Sequence, residues 1–425
     1  MEKPLTKHIK PDGSQLDLKN YVSEGGYAVL NKVLKKMSPA DVIKEIKESN
    51  LLGRGGAGFP AGVKWSYIPS DKESEPSRYL VCNADEMEPG SFKDRLLLEQ
   101  HPHQLVAGMI LSAYAIQADK AYIFLRWAYK KSESVLRKAI GEAYDAGYLG
   151  KNILNSGFDL DLYVHTSAGR YICGEETALL NSLEGKRAIP RDKPPYPAIS
   201  GLFGKPTVVN NVETLSNIPH ILENGSEWFK SISLTGEGGT KIYGVCGRVK
   251  NPGLWELPLG TPMREIIEDY AGGMSNGYKL RGALPGGAST DFIVESQVDV
   301  AMDFASLVPL NSRLGTGTII VLDDKTCPVA FIHNLIKFFA LESCGWCTPC
   351  REGLPWVEKI LRSIEDGNGR ERDIGILKFH TVYCGPGHTF CAHAPGAMEP
   401  LQSGLKYFHD DFVRHINEKH CPWRS

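Results

Sequence analysis

The chain has 425 residues, more than one hydrophobic core sustains, so two to four domains are expected. An apolar share of 42%, a charged share of 23%, and 48 basic against 50 acidic residues describe an ordinary globular protein with no electrostatic call for nucleic acid. The N-terminal lysines have no apolar run behind them, and the longest apolar helical stretch, Val329–Leu341, is interrupted by His333, Asn334 and Lys337. A secretory signal and a membrane span are therefore not expected, and any membrane connection should run through a partner.

In chain order, PADVIKEIKESNLL (from Pro39) has helical periodicity and runs into GRGGAG, Gly53–Gly58. The letters satisfy a dinucleotide fingerprint, but a helix precedes them where the fingerprint requires a strand. Their physical content survives: closely spaced glycines let a phosphate or ring edge approach the backbone. Arg54 and Lys64 could add positive charge, and Phe59, Trp65 and Tyr67 offer flat surfaces. A loop that merely turns tightly is the plain alternative.

RYLVCNADE, KAYIFLRWAY and DLDLYVHTSAGR each read as a strand entering a loop, with HQLVAGMILSAYAI and SVLRKAIGEAYDAG as intervening helices. That alternation predicts an α/β sheet. After the first strand, Asn83 is followed by Asp85, Glu86 and Glu88, which repel one another unless they accept hydroxyls, amides or a cation, or simply face water. After the third, Gly174, Glu175 and Glu176 open a helix. Acids there suit the helix dipole, and the amides around Gly174 also suit an extended nucleotide. RDKPPYPAISGLFGKPTVVNNVETL reads as a proline-stiffened loop presenting Lys193, Tyr196, Asn210 and Asn211.

From Lys241 the texture changes to a hairpin turning near Asn251, Pro252 and Gly253, a helix over TPMREIIEDYAGG, and short strands such as GTIIVL. After Cys327, four helices are predicted over 328–343, 354–366, 371–382 and 400–418, enough for a small bundle.

Ten cysteines are too few for a disulfide scaffold, and their clustering carries the information. In ESCGWCTPCREG, Cys344, Cys347 and Cys350 are spaced so that a tight loop brings three thiolates to one centre, as an iron-sulfur cubane requires. Gly345, Thr348 and Pro349 are expected to keep that loop from becoming helix. A fourth ligand could be Cys384 or Cys391; Cys391 is preferred because AHAPGAMEP continues the wrap. Four thiolates equally suit structural zinc, and His388 and His393 are near enough to be considered as ligands. Cys82, Cys173, Cys246 and Cys327 read as small core residues, and Cys421 as local packing in the tail.

Together GRGGAGFPAGVKW, NADEMEPGSFKDR, YICGEETALLNSLEG, GKPTVVNNVET and ESCGWCTPCREG closely resemble the flavoprotein subunit of respiratory NADH:quinone oxidoreductase (complex I), over nearly the whole chain. The resemblance implies that Gly53, Arg54, Gly55, Gly56 and Lys64 cradle FMN, with Asn83, Asp85, Tyr171, Asn210 and Asn211 completing the pocket. It implies that NADH stacks on the flavin against Phe59, Tyr67 and Tyr196, while Glu88, Glu176 and Lys193 bind or orient the nicotinamide nucleotide. The cluster ligands become Cys344, Cys347, Cys350 and Cys391. Tyr67 and Tyr196 stand where phenylalanine is frequent in relatives, and CAHAPGA departs from their more usual cysteine, leucine, glycine texture.

The implied architecture is a Rossmann-like FMN and NADH domain over 1–237, a ubiquitin-like soluble-ligand-binding β-grasp domain over 238–327, and a four-helix bundle carrying a [4Fe-4S] cluster over 328–425. The implied partners are a small [2Fe-2S] subunit and a large multi-cluster iron-sulfur subunit, with the assembly reducing quinone at the cytoplasmic face of the inner membrane. The alternatives are the diaphorase subunit of a soluble NAD-linked hydrogenase or formate dehydrogenase and, from another class, a zinc-stabilised scaffold or nucleotide sensor.

Overall fold

Runs rich in β-branched and aromatic residues become four parallel strands in a computed structural model that describes residues 2–10, 12–71 and 77–424. The outermost residues of the expected segments, Met1 and Ser425, lie outside the described residues. β1 (Tyr79–Ala84), β2 (Lys120–Leu125), β3 (Asp161–Thr166) and β4 (Thr207–Asn211) are ordered β3-β2-β1-β4. Tyr79 to Ala84 pair in step with Lys120 to Leu125, and on the other side Asn83 is opposite Asn211. The chain moves outward from β1 to β2 and β3, then returns to the far side of β1 as β4. In open parallel sheets such a reversal opens a crevice at the carboxyl ends of the strands.

Parallel pairing demands helical crossovers, and the helices Pro102–Ile116 and Lys130–Asp145 provide them where the sequence places them. Pro102–Ile116 is apolar nearly all round because it is buried nearly all round, with Leu105, Met109 and Ile110 wholly inaccessible. It meets the helix Val212–Asn224 so closely that a Cβ on Gly108 would stand 2.0 Å from the Leu215 carbonyl oxygen.

The proline-stiffened loop read around Arg191–Leu215 ends earlier than expected. TVVNN is strand β4, and Asn211 caps the following helix by accepting from the Glu213 amide. Thr207, Val208 and Val209 are buried, and so short an apolar run carries too little periodicity to be told from a loop.

A second, mixed sheet joins β5 (Thr240–Cys246), β6 (Gly253–Pro258), β7 (Leu280–Leu284), β8 (Ile293–Val294) and β9 (Thr318–Asp323) in the order β6-β5-β9-β7-β8. β5 runs parallel to β9, and β7 antiparallel to both β8 and β9. The helix expected over Thr261–Gly273 is confined to Met263–Tyr270, its second part, Ile266–Tyr270, wound as π-helix. Gly272 and Gly273, both at positive φ, end it.

Among the described residues, five helices stand where four were expected: Pro328–Glu342, Leu354–Glu365, Glu371–Tyr383, His393–Tyr407 and His409–Glu418. The expected 400–418 helix is two, because the backbone breaks at Phe408 (φ −120°, ψ 25°), and the first of them starts at His393. Pro395 falls in its first turn, where a missing N–H costs nothing, and Pro400 lies inside it. No described helix is long and apolar enough to cross a membrane.

By internal packing the chain divides into two units. The first comprises residues up to Met87, Phe92–Ile242 and Glu256–Leu259; the second comprises Glu88–Ser91, Tyr243–Trp255 and the chain from Gly260 onward.

Candidate functional site

In the first unit the glycine loop is held shut as a hairpin-like turn, Gly53 N–H donating to Phe59 O (2.9 Å) and Ala61 N–H to Leu51 O (2.9 Å). A helix, Pro39–Glu48, precedes it, as the sequence indicates. Gly55 packs on the end of β4, where a Cβ would come 3.1 Å from the Asn211 Cβ, and Gly56 takes φ +130°. The loop thereby lies at the β1/β4 reversal with Asn83, Asp85, Asn210 and Asn211. Trp65 donates to Asn210 Oδ1 (2.8 Å), Asn83 Nδ2 to the Gly174 carbonyl (2.9 Å), and Ser167 to Asp85 Oδ1 (2.7 Å).

Arg54 has a different place from the one its charge suggests. Its side chain is fully buried, and the guanidinium donates to the carbonyls of Leu52 (3.1 Å), Gly238 (2.7 Å) and Thr240 (3.1 Å). The Arg54 amide in turn donates to Thr214 Oγ1 (2.8 Å), so backbone and guanidinium together fasten the loop to the body of the unit.

Lys64 donates to Glu176 Oε2 (2.7 Å) and the Val209 carbonyl (2.9 Å). Lys193 reaches Glu176 Oε1 (2.9 Å) and Glu175 Oε1 (3.3 Å). Burial alone would raise the Glu176 carboxyl, but the two lysines hold it down to about 2. Burial works against the Lys193 ammonium, and Glu176 and Glu175 raise it above its ordinary value. Glu175 also caps the helix Glu176–Leu183, accepting from the amides of Thr177 (2.9 Å) and Ala178 (2.8 Å). Gly174 has open space on its Cβ side, at the end of the turn that begins with half-buried Tyr171. Phe59 and Tyr67 form an exposed aromatic pair with centroids 6.3 Å apart, and Tyr196 is exposed too.

The acidic run after β1 separates by role. Glu86 accepts from the Asp94 and Arg95 amides and from the Tyr129 hydroxyl, which makes it the cap of the helix Lys93–Gln100. Glu88 belongs to the second unit, where it accepts from the Ser289 amide (2.8 Å).

A supporting charge network escapes the sequence reading. Buried Lys93 contacts Asp94 Oδ1 (2.7 Å), Glu213 Oε2 (2.9 Å) and Asn211 Oδ1 (3.1 Å), and Lys241 contacts Glu213 Oε2 (2.6 Å). Burial opposes ionised Glu213, yet Lys241 and Lys93 hold it down to about 2. Asn211 Nδ2 donates to Asp94 Oδ2 (2.7 Å), so its amide is oriented on both sides. The local signal, a Lys-Asp pair on an amphipathic helix, looks like a solvated face.

In the second unit Gly345 turns at φ +78° after Cys344. Helix returns sooner than expected: Pro349–Gly353 is a π-turn leading into Leu354–Glu365, so Cys350 sits on helical backbone rather than in irregular loop. Thr348 and Pro349 start this helix instead of preventing it, since proline is at home in a first turn. Burial pushes the Cys350 thiol up to about 12, reinforced by Cys347, Cys391 and Cys344. Those three are the cysteines that the sequence groups with it. Burial lifts Cys384 to about 11, but it feels only Cys347, and its thiol donates to the Pro349 carbonyl (3.3 Å). His393 Nε2 is engaged by the Phe339 carbonyl (2.8 Å), and the His388 ring lies tilted beside Tyr383, with centroids 5.3 Å apart. Four thiols, of which Cys350 is cradled by Ser343 Oγ at 3.1 Å, are the donor chemistry an iron-sulfur cubane takes. The glycine loop and oriented amides at a sheet reversal likewise fit a flavin phosphate and ring.

Comparison with known proteins agrees. The family model described as Nuo51 FMN-binding domain matches residues 46–220, SLBB domain 242–292, and NADH-ubiquinone oxidoreductase-F iron-sulfur binding region 330–415. The F subunit of NADH-quinone oxidoreductase from Salmonella typhimurium is 56% identical over 98% of this chain and 93% of its own. The Escherichia coli F subunit is also 56% identical, with the same coverage, and the second F subunit of Rhizobium meliloti is 49% identical over 97% of both chains. Among solved structures, a chain of an NAD+-reducing [NiFe]-hydrogenase in the H2-reduced state superposes with TM-score 0.83 at 33% identity, covering 96% of this chain and 67% of that one. The protein is thus an iron-sulfur flavoprotein that uses FMN and a [4Fe-4S] cluster. More narrowly, the chain belongs to the family of NADH-quinone oxidoreductase F subunits.

Proposed function

We propose that this chain takes hydride from NADH and delivers the electrons singly to a [4Fe-4S] cluster, as the electron-input subunit of an NADH-quinone oxidoreductase. The observation that supports it most is the meeting of the glycine loop with Asn83, Asn210 and Asn211 at the β1/β4 reversal. Bound FMN supplies the exchange between a two-electron hydride and single electrons. The residues that would hold it are Gly53, Arg54, Gly55 and Gly56, with Lys64, Asn83, Asp85, Tyr171, Asn210 and Asn211 around them. Phe59, Tyr67 and Tyr196 would bracket the nicotinamide, since their exposed faces are free for stacking. Lys193 and ionised Glu176 would orient the nucleotide polar groups along Gly174 and Glu175, and Glu88 would bias binding by charge. Hydride transfer asks for proximity and alignment, and no protein nucleophile is needed.

The four cysteines that would hold the cluster are Cys344, Cys347, Cys350 and Cys391. As a member of this family the chain works in a multi-subunit complex. Its immediate neighbours in this reading are a small [2Fe-2S] subunit and a multi-cluster subunit, on the cytoplasmic side of the membrane. The mixed sheet with β9 at its centre, parallel to β5, supports a β-grasp middle domain, and the helices from Pro328 a bundle around the cluster. The hydrogenase diaphorase reading rests on the structural neighbour, but identity falls from 56% to 33% and coverage of the relative from 93% to 67%.

The deciding test is low-temperature electron paramagnetic resonance of the anaerobic chain, produced with its partners, before and after NADH. A cubane signal that appears with NADH supports the reading. A cluster reduced by dithionite but silent with NADH refutes it.

A further inference from the structure

Four buried side chains that the electron route does not use converge in the second unit. Cys327, Glu365, His415 and Cys421 each bring one donor atom to a common point, all within 4.8 Å of one another. They come from four places: the cap of Pro328–Glu342, the last residue of Leu354–Glu365, the helix His409–Glu418, and the tail beyond it. None is more than 6% exposed. Cys327 Sγ lies 2.8 Å from Glu365 Oε1 and 3.3 Å from His415 Nε2, which is itself 3.1 Å from Glu365 Oε1.

We propose that these residues form a structural zinc site, separate in residues and in purpose from the iron-sulfur cluster. Two sulfurs, an imidazole nitrogen and a carboxylate oxygen form a donor set that favours tetrahedral zinc. Zinc bonds of about 2.0–2.3 Å give a tetrahedron with edges of about 3.3–3.8 Å, so His415 Nε2 would shift by a few tenths of an ångström from its partners while Cys327 Sγ and Glu365 Oε1, now at 2.8 Å, would part by about 0.7 Å.

The surroundings are those of a metal site. His415 Nδ1 donates to the Asp411 carbonyl (2.6 Å), which holds the ring so that Nε2, the atom a metal would take, faces Cys327 Sγ and Glu365. The Trp423 ring stacks on the imidazole with centroids 5.7 Å apart. Arg424 places its guanidinium 3.0 Å from Glu365 Oε2. Cys327 Sγ accepts from the Ala330 amide (3.3 Å) at the start of Pro328–Glu342, which fixes the sulfur in place.

Charge and protons balance. Zn2+ replaces the thiol protons of Cys327 and Cys421, releasing two H+, and binds neutral His415 and ionised Glu365. The resulting single negative charge is met by Arg424. The metal would clip the C-terminal tail to the start of the helix whose other end leads into Cys344.

Zinc and iron in the full-length chain, purified anaerobically with its cluster and passed over a chelating resin, test this directly. The wild type should keep about one zinc per chain beside its full iron, and Cys421→Ser and Cys327→Ser should each lower zinc by at least about tenfold while iron stays. Wild-type chain with full iron and less than about a tenth of an equivalent of zinc, after growth with added Zn2+, would overturn the proposal without recourse to any variant. So would zinc that is undiminished in Cys421→Ser. Because iron is counted in the same sample, zinc trapped in an empty cluster site is recognised by its missing iron.

Discussion

Lys64 Nζ stands 2.7 Å from Glu176 Oε2 and 2.9 Å from the Val209 carbonyl, so one ammonium ties the helix after the glycine loop to β4 and to the helix that begins at Glu176. The same carboxylate takes Lys193 on its other oxygen at 2.9 Å. The triad is a partly buried clamp in the first unit, centred on the Glu176 carboxylate.

Glu176 is held at about 2, below its ordinary 4.5, so its contribution to stability is complete above about pH 4.5 and disappears as the pH falls towards 2. Glu176→Gln should therefore cost on the order of 2 kcal/mol near neutrality and flatten the acid limb between about pH 5 and pH 2. Urea midpoints of both proteins across that range check it. Parallel acid limbs would mean the clamp contributes nothing to folding.

Gly108→Ala separates two opposed effects. Helix propensity alone favours alanine by up to about 1 kcal/mol. The added Cβ would fall 2.0 Å from the backbone oxygen of Leu215, which cannot swing aside as a side chain would. The substitution should thus destabilise by about 1–3 kcal/mol, read as a lowered melting temperature, with earlier release of FMN. A rise in melting temperature would show that the two helices part at little cost.

Asn211 combines three tasks: it caps Val212–Asn224, accepts from Lys93 and donates to Asp94. Asn211→Ala removes the cap and takes one hydrogen bond from each of the buried groups Lys93 and Asp94, a loss of about 2–4 kcal/mol. FMN content per chain should fall with it, since Gly55 rests on this side chain. Stability and flavin absorbance measured on one preparation check both, and full FMN at wild-type stability would contradict the assignment.

The strands β1, β2 and β3 of the first unit were legible because each run is long, β-rich and closed by a turn. β4 was not, because five residues carry no distinguishable period. Arg54 was legible as a charge near glycines but not as a buried fastener, since its carbonyl partners Gly238 and Thr240 lie far along the chain. The triple cysteine spacing announces itself locally. Cys327, Glu365, His415 and Cys421 do not, because only the packing of three helices and a tail brings them together. The extent of the last helices was misread because Pro400 resembles a helix start, whereas the break comes at Phe408.

The fourth cluster ligand distinguishes two cysteines that sequence spacing leaves close in rank. Cys350 is influenced by Cys347, Cys391 and Cys344, whereas Cys384 senses only Cys347 and donates its proton to the Pro349 carbonyl. Cys384 also packs against Gly353, where a Cβ would come 2.6 Å from its sulfur, a position suited to filling space in the helix contact. Cys391→Ala should lower iron from about four to below one per chain and abolish the cubane signal. Cys384→Ala should keep both and lose about 1 kcal/mol of stability from the small cavity. Iron analysis and paramagnetic resonance on the two variants check this, and the reverse pattern would move the ligand to Cys384.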